Sequence, residues 1–368
     1  MKMVQLSLML MITSGLSLFR PAVLASTELR GFWTDSWGAG FKTPDETVQL
    51  IDFAKNHGFT DIFVQVRKRG DACYMSSIEP IDPKVAADYD PLADIIKKAH
   101  ARGIRVHAWI MLYDAWTESK WVKLDPAHVY AKHPDWITED VNGGNTYANG
   151  RMYLDPGLPE VREYLRQVVI DIATRYRVDG VHLDGLRYPD ASFGYDPKSV
   201  ALFNAEYGKD GLPSPNDSDW CNWRRQQVTQ LALDLTSAIH RARPSIKVSL
   251  AAYWNQQEAR DRFFQDWPAW AKAGYFDFIV PMVFVPKSVP EFIKKVDDEL
   301  AAGGGTPIYI GQGTWRFPPE TTNRHLRVIR GKGAPGFVLF DYTALSTPRP
   351  DGKCLADYLP ISLPESGK

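Results

Sequence analysis

Only three cysteines, Cys73, Cys221 and Cys354, occur in 368 residues. That is too few for a disulfide framework, and at least one thiol is left over if any two pair. Charge of one sign is missing too. Lys plus Arg number 43 and Asp plus Glu 44, for a formal net charge of -1, with no dense block of either kind. This argues against nucleic acid and against a strongly anionic polymer as partner. Beyond Phe19 no apolar run approaches the roughly twenty residues of a membrane span, so no stable membrane insertion is expected. Metal signatures are also lacking. There is no H-E-x-x-H, and where metal-dependent hydrolase barrels place an H-x-H pair the chain reads Trp33-Thr34-Asp35. His128 and His133 fall on a presumed loop, so neither a metal nor a cofactor is expected. No G-x-S-x-G marks a serine nucleophile, and Gly311-Gln312-Gly313 has no Gly-rich partner on the next strand to complete a phosphate cradle.

What is present begins with a leader. Lys2, an apolar run from Val4 to Phe19, Pro21 and the small-residue site before Ser26 have the pattern of a signal peptide. Residues 1–25 are therefore expected to be removed, and the mature protein to be exported to the periplasm or secreted. The twelve Trp and sixteen Tyr are a second excess. Their flat faces suit the apolar faces of sugar rings, although many are expected in the core.

Read in order, runs of period two alternate with runs of helical period. Strands are predicted at Arg30–Trp37, Asp61–Arg67, Ile104–Leu112, Val178–Asp184, Lys247–Trp254, Phe276–Phe284, Ile308–Trp315 and Gly336–Leu345. Helices fall between them, the first opened by Thr43 and Pro44 and stopped by Gly58. Eight such units predict an α/β fold, a single-domain (β/α)8 TIM barrel over residues 26–345. A long Trp-rich loop, Tyr113 to Pro159, follows strand three. The Pro- and Gly-rich tail, 346–368, leaves room only for a stub of an eighth helix near Leu355–Tyr358.

The stretch organising the chain is Val178 to Pro189, VDGVHLDGLRYP. His182 and Asp184 alternate with Val181 and Leu183, so they share one face, and Asp184 ends the strand at the end of a barrel where chemistry is done. The same alternation predicts that Arg67, His107, Trp109, His182, Asp184 and Tyr253 converge on one mouth, with Arg187, Trp254 and Trp116 as further substrate contacts. An acid among aromatic walls suits glycoside hydrolysis, which needs two carboxyl groups flanking a sugar. Neither strand five nor strand six ends in a Glu or Asp, so the second is sought at Asp35, Asp71, Asp114, Glu118, Glu258 or Asp341. Asp71 and Glu258 rank first, Glu258 because it follows strand five.

Arg30 to Trp33, Gln65-Val66-Arg67 with Gly70-Asp71-Ala72, His107-Ala108-Trp109, Leu154-Asp155-Pro156-Gly157 and VDGVHLDGLRYP together resemble the glycosyl hydrolase-like 10 family, in order from about Glu28 to Pro189. The resemblance implies an exported bacterial TIM-barrel glycosidase acting on a polysaccharide without a cofactor. A cell-wall role on peptidoglycan glycan strands stripped of their peptides has precedent in that family. By analogy with barrel glycosidases that carry their nucleophile after strand four, Asp184 is the catalytic carboxylate. Many members read Asp-Asp where this chain reads Asp184-Gly185. If the second Asp matters, the alternative is a noncatalytic carbohydrate-binding barrel, but the strand alternation aims position 184 into the mouth.

Overall fold

A computed structural model describes residues 28–117 and 123–362. The leader, Glu118 and Trp121 lie outside the described residues. The barrel strands are β1 (Leu29–Thr34), β2 (Asp61–Arg67), β3 (Arg105–Met111), β6 (Gly180–Asp184), β7 (Lys247–Ala252), β8 (Phe278–Val283), β9 (Ile310–Gly313) and β10 (Gly336–Phe340). All are parallel and close in sequence order, with β10 pairing back onto β1. The expected TIM barrel is the observed fold.

Helices return the chain between strands. They are α1 (Pro44–Asn56), α2 (Pro91–His100), α4 (Pro159–Arg175), α5 (Pro197–Tyr207), α6 (Ser218–Ala242), α7 (Gln256–Asp261), α8 (Trp267–Lys272), α9 (Val289–Ala302) and α10 (Pro319–Gly331). Local chemistry sets their starts. Thr43 accepts from the Glu46 N–H, Asp90 from Ala93, and each is followed by Pro at the first helical position. The inner core of the barrel is Leu29, Trp33, Phe63, Trp109, Phe278, Val280 and Val338, while a larger apolar layer packs the helices onto the strands.

Three expectations need correction. A bulge between Gln65 and Arg67 breaks the alternation of β2, so Arg67 leaves the face shared by Phe63 and Gln65. The segment after β3 is not structureless. It holds the antiparallel pair β4 (Asp114–Thr117) and β5 (Arg151–Tyr153), with the short helix α3 (Val129–Lys132) between them. The eighth strand ends at Phe340, and α11 (Tyr342–Ser346) follows, capped by Asp341. The tail's Leu355–Tyr358 forms one 3₁₀ turn, and Leu355, Leu359 and Ile361 are buried against the barrel. All three cysteines are free thiols. Among the described residues no helix is long and apolar enough to cross a membrane.

Candidate active site at the carboxyl ends of the strands

Asp184 is the last residue of β6 and stands beside Met111 of β3. One carboxylate oxygen accepts from the indole N–H of Trp109 at 3.0 Å, and the other from the backbone N–H of Gly185 at 2.6 Å. Arg187 places a guanidinium nitrogen 3.7 Å from the second oxygen. The carboxylate is therefore held by two fixed donors and a neighbouring cation. Gly185 permits this turn. Its φ is +64°, and a Cβ there would lie 2.6 Å from the Met111 sulfur, so an aspartate at this position would be strained in this chain.

Two strips of polar side chains run outward from Asp184. On the β3 side, Asp114 is buried and ion-paired with Arg151. Burial pushes its carboxyl above the ordinary carboxylate range; Arg151 opposes this and the nearby Asp184 adds to it. Its Oδ1 has no hydrogen-bond partner. Further along, Asp71 has one oxygen 3.3 Å from the Lys68 ammonium and the other accepting from the Arg69 N–H. On the β7 side, the Tyr253 hydroxyl donates to Glu258 at 3.2 Å, and Asn255 holds the other Glu258 oxygen at 2.9 Å. Glu258 opens α7 and stays half-exposed. Trp254 stacks beside Tyr253, with Lys295 on its ring.

The floor and far wall are aromatic. Phe340 meets Trp109, Phe284, Trp33 and Trp315 with ring centroids 5.2 to 6.2 Å apart. Trp315, just past β9, is 47% exposed, and Trp37, just past β1, is 53% exposed under the cations of Lys68 and Arg69. Asp35 and Asp341 close this side. Burial, with Asp35 as neighbour, raises Asp341 to about 6.

Of the residues expected at the mouth, Trp109, Asp184, Arg187, Tyr253, Glu258 and Asp71 are there. Five are not. Trp254 lies under Lys295 in a groove between α7 and α9. His107 faces the opposite end of the barrel, 2.9 Å from Asp61, stacked on Phe63. Gly180 leaves room for it, since a Cβ there would fall 2.2 Å from its Nδ1. His182 is fully buried in the middle layer, accepting from Trp33 at Nε2 (3.1 Å) and donating from Nδ1 to Ser249 (2.8 Å). Burial drives its pKa well down, so it is a neutral structural ring. Arg67, displaced by the bulge, is paired with Glu79 at 2.8 Å under the loop after β2 and donates to the carbonyl of Leu112. Trp116 is 8% exposed, packed edge-on to His128 with Arg69 over its ring, and anchors the loop.

Asp114 was among the loop candidates without distinction, and Arg151 was not among the expected site residues. Asp114 lies three residues past β3, but nothing in its spacing reveals that β5 will bring a guanidinium to it. Asp155, in the Leu-Asp-Pro-Gly stretch, is also not a mouth residue. It is wholly buried, accepts from Ser199 at 3.0 Å, and burial, together with the neighbouring Asp196, raises its pKa well above the ordinary value. Among the described residues the mouth brings no three His, Cys, Asp or Glu side chains close enough to share an ion.

Comparison with known proteins agrees with this fold. The chain is 26% identical over 355 residues to glycosyl hydrolase YngK of Bacillus subtilis, covering 84% of this chain and 66% of that one. It is 29% identical over 270 residues to glycosyl hydrolase DigH of Escherichia coli, covering 66% and 58%. The chain thus spans somewhat under two thirds of the length of these curated relatives. The glycoside hydrolase domain of PgaB (BpsB) from Bordetella bronchiseptica superposes with a TM-score of 0.68 at 15% identity, covering 90% of this chain and 99% of that domain. An alpha-L-fucosidase from Paenibacillus thiaminolyticus follows at 0.66 and 16%, covering 91% and 48%. At such identities the two structures attest the barrel alone. The family profile Glycosyl hydrolase-like 10 matches residues 28–311, and the chain belongs to that family.

Proposed function

We propose that this protein hydrolyses a glycosidic bond in a polysaccharide, with Asp184 as the catalytic carboxylate. The observation that carries the reading is the position of Asp184. It ends a central strand, is gripped by Trp109 and Gly185, and lies beside a floor of aromatic rings. A carboxylate so fixed can attack the anomeric carbon or activate a water, while a second carboxyl protonates the departing oxygen; water is added across the bond.

Glu258 is the proposed proton donor. It borders the mouth through Tyr253, and its side chain is 38% exposed, against 14% for Asp71 beside Lys68. Asp114 is a second candidate, favoured by its raised pKa and unpartnered oxygen beside Asp184. Arg187 and Tyr253 are proposed substrate contacts. Export to the cell envelope, with peptide-free glycan strands among the substrates, fits the family.

The test is to incubate the purified protein with peptide-free peptidoglycan strands, chitin-type oligomers and α-glucans, and to read released sugars by mass spectrometry. Glu258→Gln should lose turnover on natural glycans yet retain it on an aryl glycoside, whose leaving group needs no proton. If Asp114→Asn shows that pattern instead, the proton donor is Asp114. Binding without release from any glycan would leave a carbohydrate-binding barrel as the reading.

A further inference from the structure

At the barrel end remote from Asp184, three side chains far apart in sequence meet. His57 caps the end of α1, and Cys354 and Asp357 lie on the 3₁₀ turn of the C-terminal segment. His57 Nε2 is 3.1 Å from Asp357 Oδ1 and 3.9 Å from Cys354 Sγ, and the three ligand-type atoms all lie within 4.8 Å of one another. We propose that His57, Cys354 and Asp357 form a structural site for a divalent transition-metal ion of the zinc type.

The hydrogen bonds around the cluster leave a gap that a cation fits. His57 Nδ1 faces the Phe53 carbonyl at 2.9 Å, and since a carbonyl only accepts, Nδ1 carries a proton. The Nε2 lone pair of the neutral ring then points at a carboxylate oxygen, and two acceptors at 3.1 Å need a positive charge between them. That charge is either a proton on Nε2 or an ion shared with the thiolate. A ring whose outer N–H is fixed by a backbone carbonyl is the usual arrangement of a metal-binding histidine. Asp357 is steadied in the same way, its Oδ2 accepting from the Cys354 N–H at 2.7 Å.

Tetrahedral zinc with imidazole, thiolate and carboxylate ligands has ligand atoms about 3.3–3.6 Å apart, as its bond lengths require. The 3.1 and 3.9 Å separations bracket that range. The donor set of one nitrogen, one sulfur and one oxygen suits zinc or cobalt rather than calcium or magnesium. Cys354 is buried while the Asp357 side chain is 40% exposed, which leaves one open side for a water. Such an ion would pin the tail to α1 where an eighth helix is reduced to a turn. It would take no part in catalysis, because α1 ends where the chain re-enters β2, opposite the mouth.

The full mature chain, stripped with EDTA and kept reduced, is titrated with Co²⁺ and Zn²⁺. The expected result is one equivalent of Co²⁺ giving a thiolate-to-cobalt charge-transfer band, and Zn²⁺ raising Tm by about 2–4 °C or more. Cys354→Ser should abolish the band and weaken Zn²⁺ binding by more than about 100-fold, and Asp357→Asn should weaken it less. Glycosidase turnover should be the same with or without metal. The proposal is overturned if no band forms at millimolar Co²⁺. It is equally overturned if the band or the Tm rise survives in Cys354→Ser, which would move the ion to another thiol. Neither outcome bears on the role of Asp184.

Discussion

The two ends of the barrel carry similar polar groups and do opposite things with them. At the amino end, Asp61 accepts from Arg105 at 2.7 and 2.6 Å and from His107 at 2.9 Å, and the cluster is sealed by Phe63 stacked on the imidazole. Burial works to raise the Asp61 pKa, but the bonds from His107 and Arg105 win and hold it down at about 2. At the carboxyl end, Asp184, with its side chain 6% exposed, has only an indole, a backbone N–H and an arginine that is near but not bonded. A carboxylate whose partners close around it is part of the scaffold. One held at a strand end by two donors, with its cation at arm's length, can be turned to chemistry. His107 and Asp184 differ in this respect although both were expected on the same inward surface.

The sharpest test of that contrast is Asp184→Asn. Its carboxylate would act on an oxocarbenium-like transition state more than on bound sugar, so kcat should fall about 10³-fold or more, with KM and Tm nearly unchanged. Steady-state kinetics beside thermal melts check this, and near-wild-type turnover would remove Asp184 from the mechanism. Asp61→Asn should do the reverse. It strands His107 and Arg105 at the closed end, so stability should drop by about 3 kcal/mol, with turnover per folded molecule intact. The pH dependence follows in sign. A carboxyl whose folded pKa of about 2 lies below its unfolded value near 3.9 stabilises the fold above that unfolded value and loses this as pH falls toward 2. The difference in stability between wild type and Asp61→Asn, measured by urea unfolding, should therefore be constant above about pH 5 and shrink below pH 4. A pH-independent difference would mean that Asp61 acts by packing alone.

The fold was legible because the periods of two and 3.6 alternate so regularly, and because Thr43-Pro44, Asp90-Pro91 and Gly58 punctuate the helices. The site was legible in part. Periodicity tells which face of a strand a residue is on but not its depth along the barrel. His107, His182 and Asp184 share the inward face and sit in three successive layers, and only the last reaches the mouth. Arg67 was misplaced by one bulge after Gln65, which no local feature of DIFVQVR announces. Glu79 and Arg151, the partners that fix Arg67 and Asp114, come from loops whose path is set by tertiary packing. The cluster of His57, Cys354 and Asp357 could not be seen at all, because its members are joined only by closure of the barrel.

Trp109→Phe probes the grip on Asp184 directly. It keeps the ring against Phe340 while removing the donor at 3.0 Å. A freed carboxylate oxygen costs orientation rather than charge, so kcat should fall about tenfold to 100-fold with little change in Tm. An unchanged kcat with a lower Tm would make Trp109 a core residue only.

The smallest effect separates the aromatic residues of the mouth from those beneath it. Trp116, in the Trp-rich segment after β3, was expected to contact substrate, but it is 8% exposed and wedged between His128 and Arg69, while Trp315 on the far side is 47% exposed and meets Phe284 and Phe340 at steep ring angles. A half-exposed indole can offer a sugar a stacking surface, and losing such a contact costs about 1 kcal/mol. Trp315→Ala should therefore weaken binding of long oligosaccharides about fivefold and of short ones less, with Tm nearly constant. Trp116→Ala should lower Tm without any dependence on oligosaccharide length, since it removes a packed ring from the loop. Isotherms across a ladder of chain lengths, with melts of both variants, distinguish the two. If Trp116→Ala shows the length dependence and Trp315→Ala does not, the glycan runs over the β3 side of the mouth, and the aromatic floor under Phe340 is scaffold like the ring beneath His107.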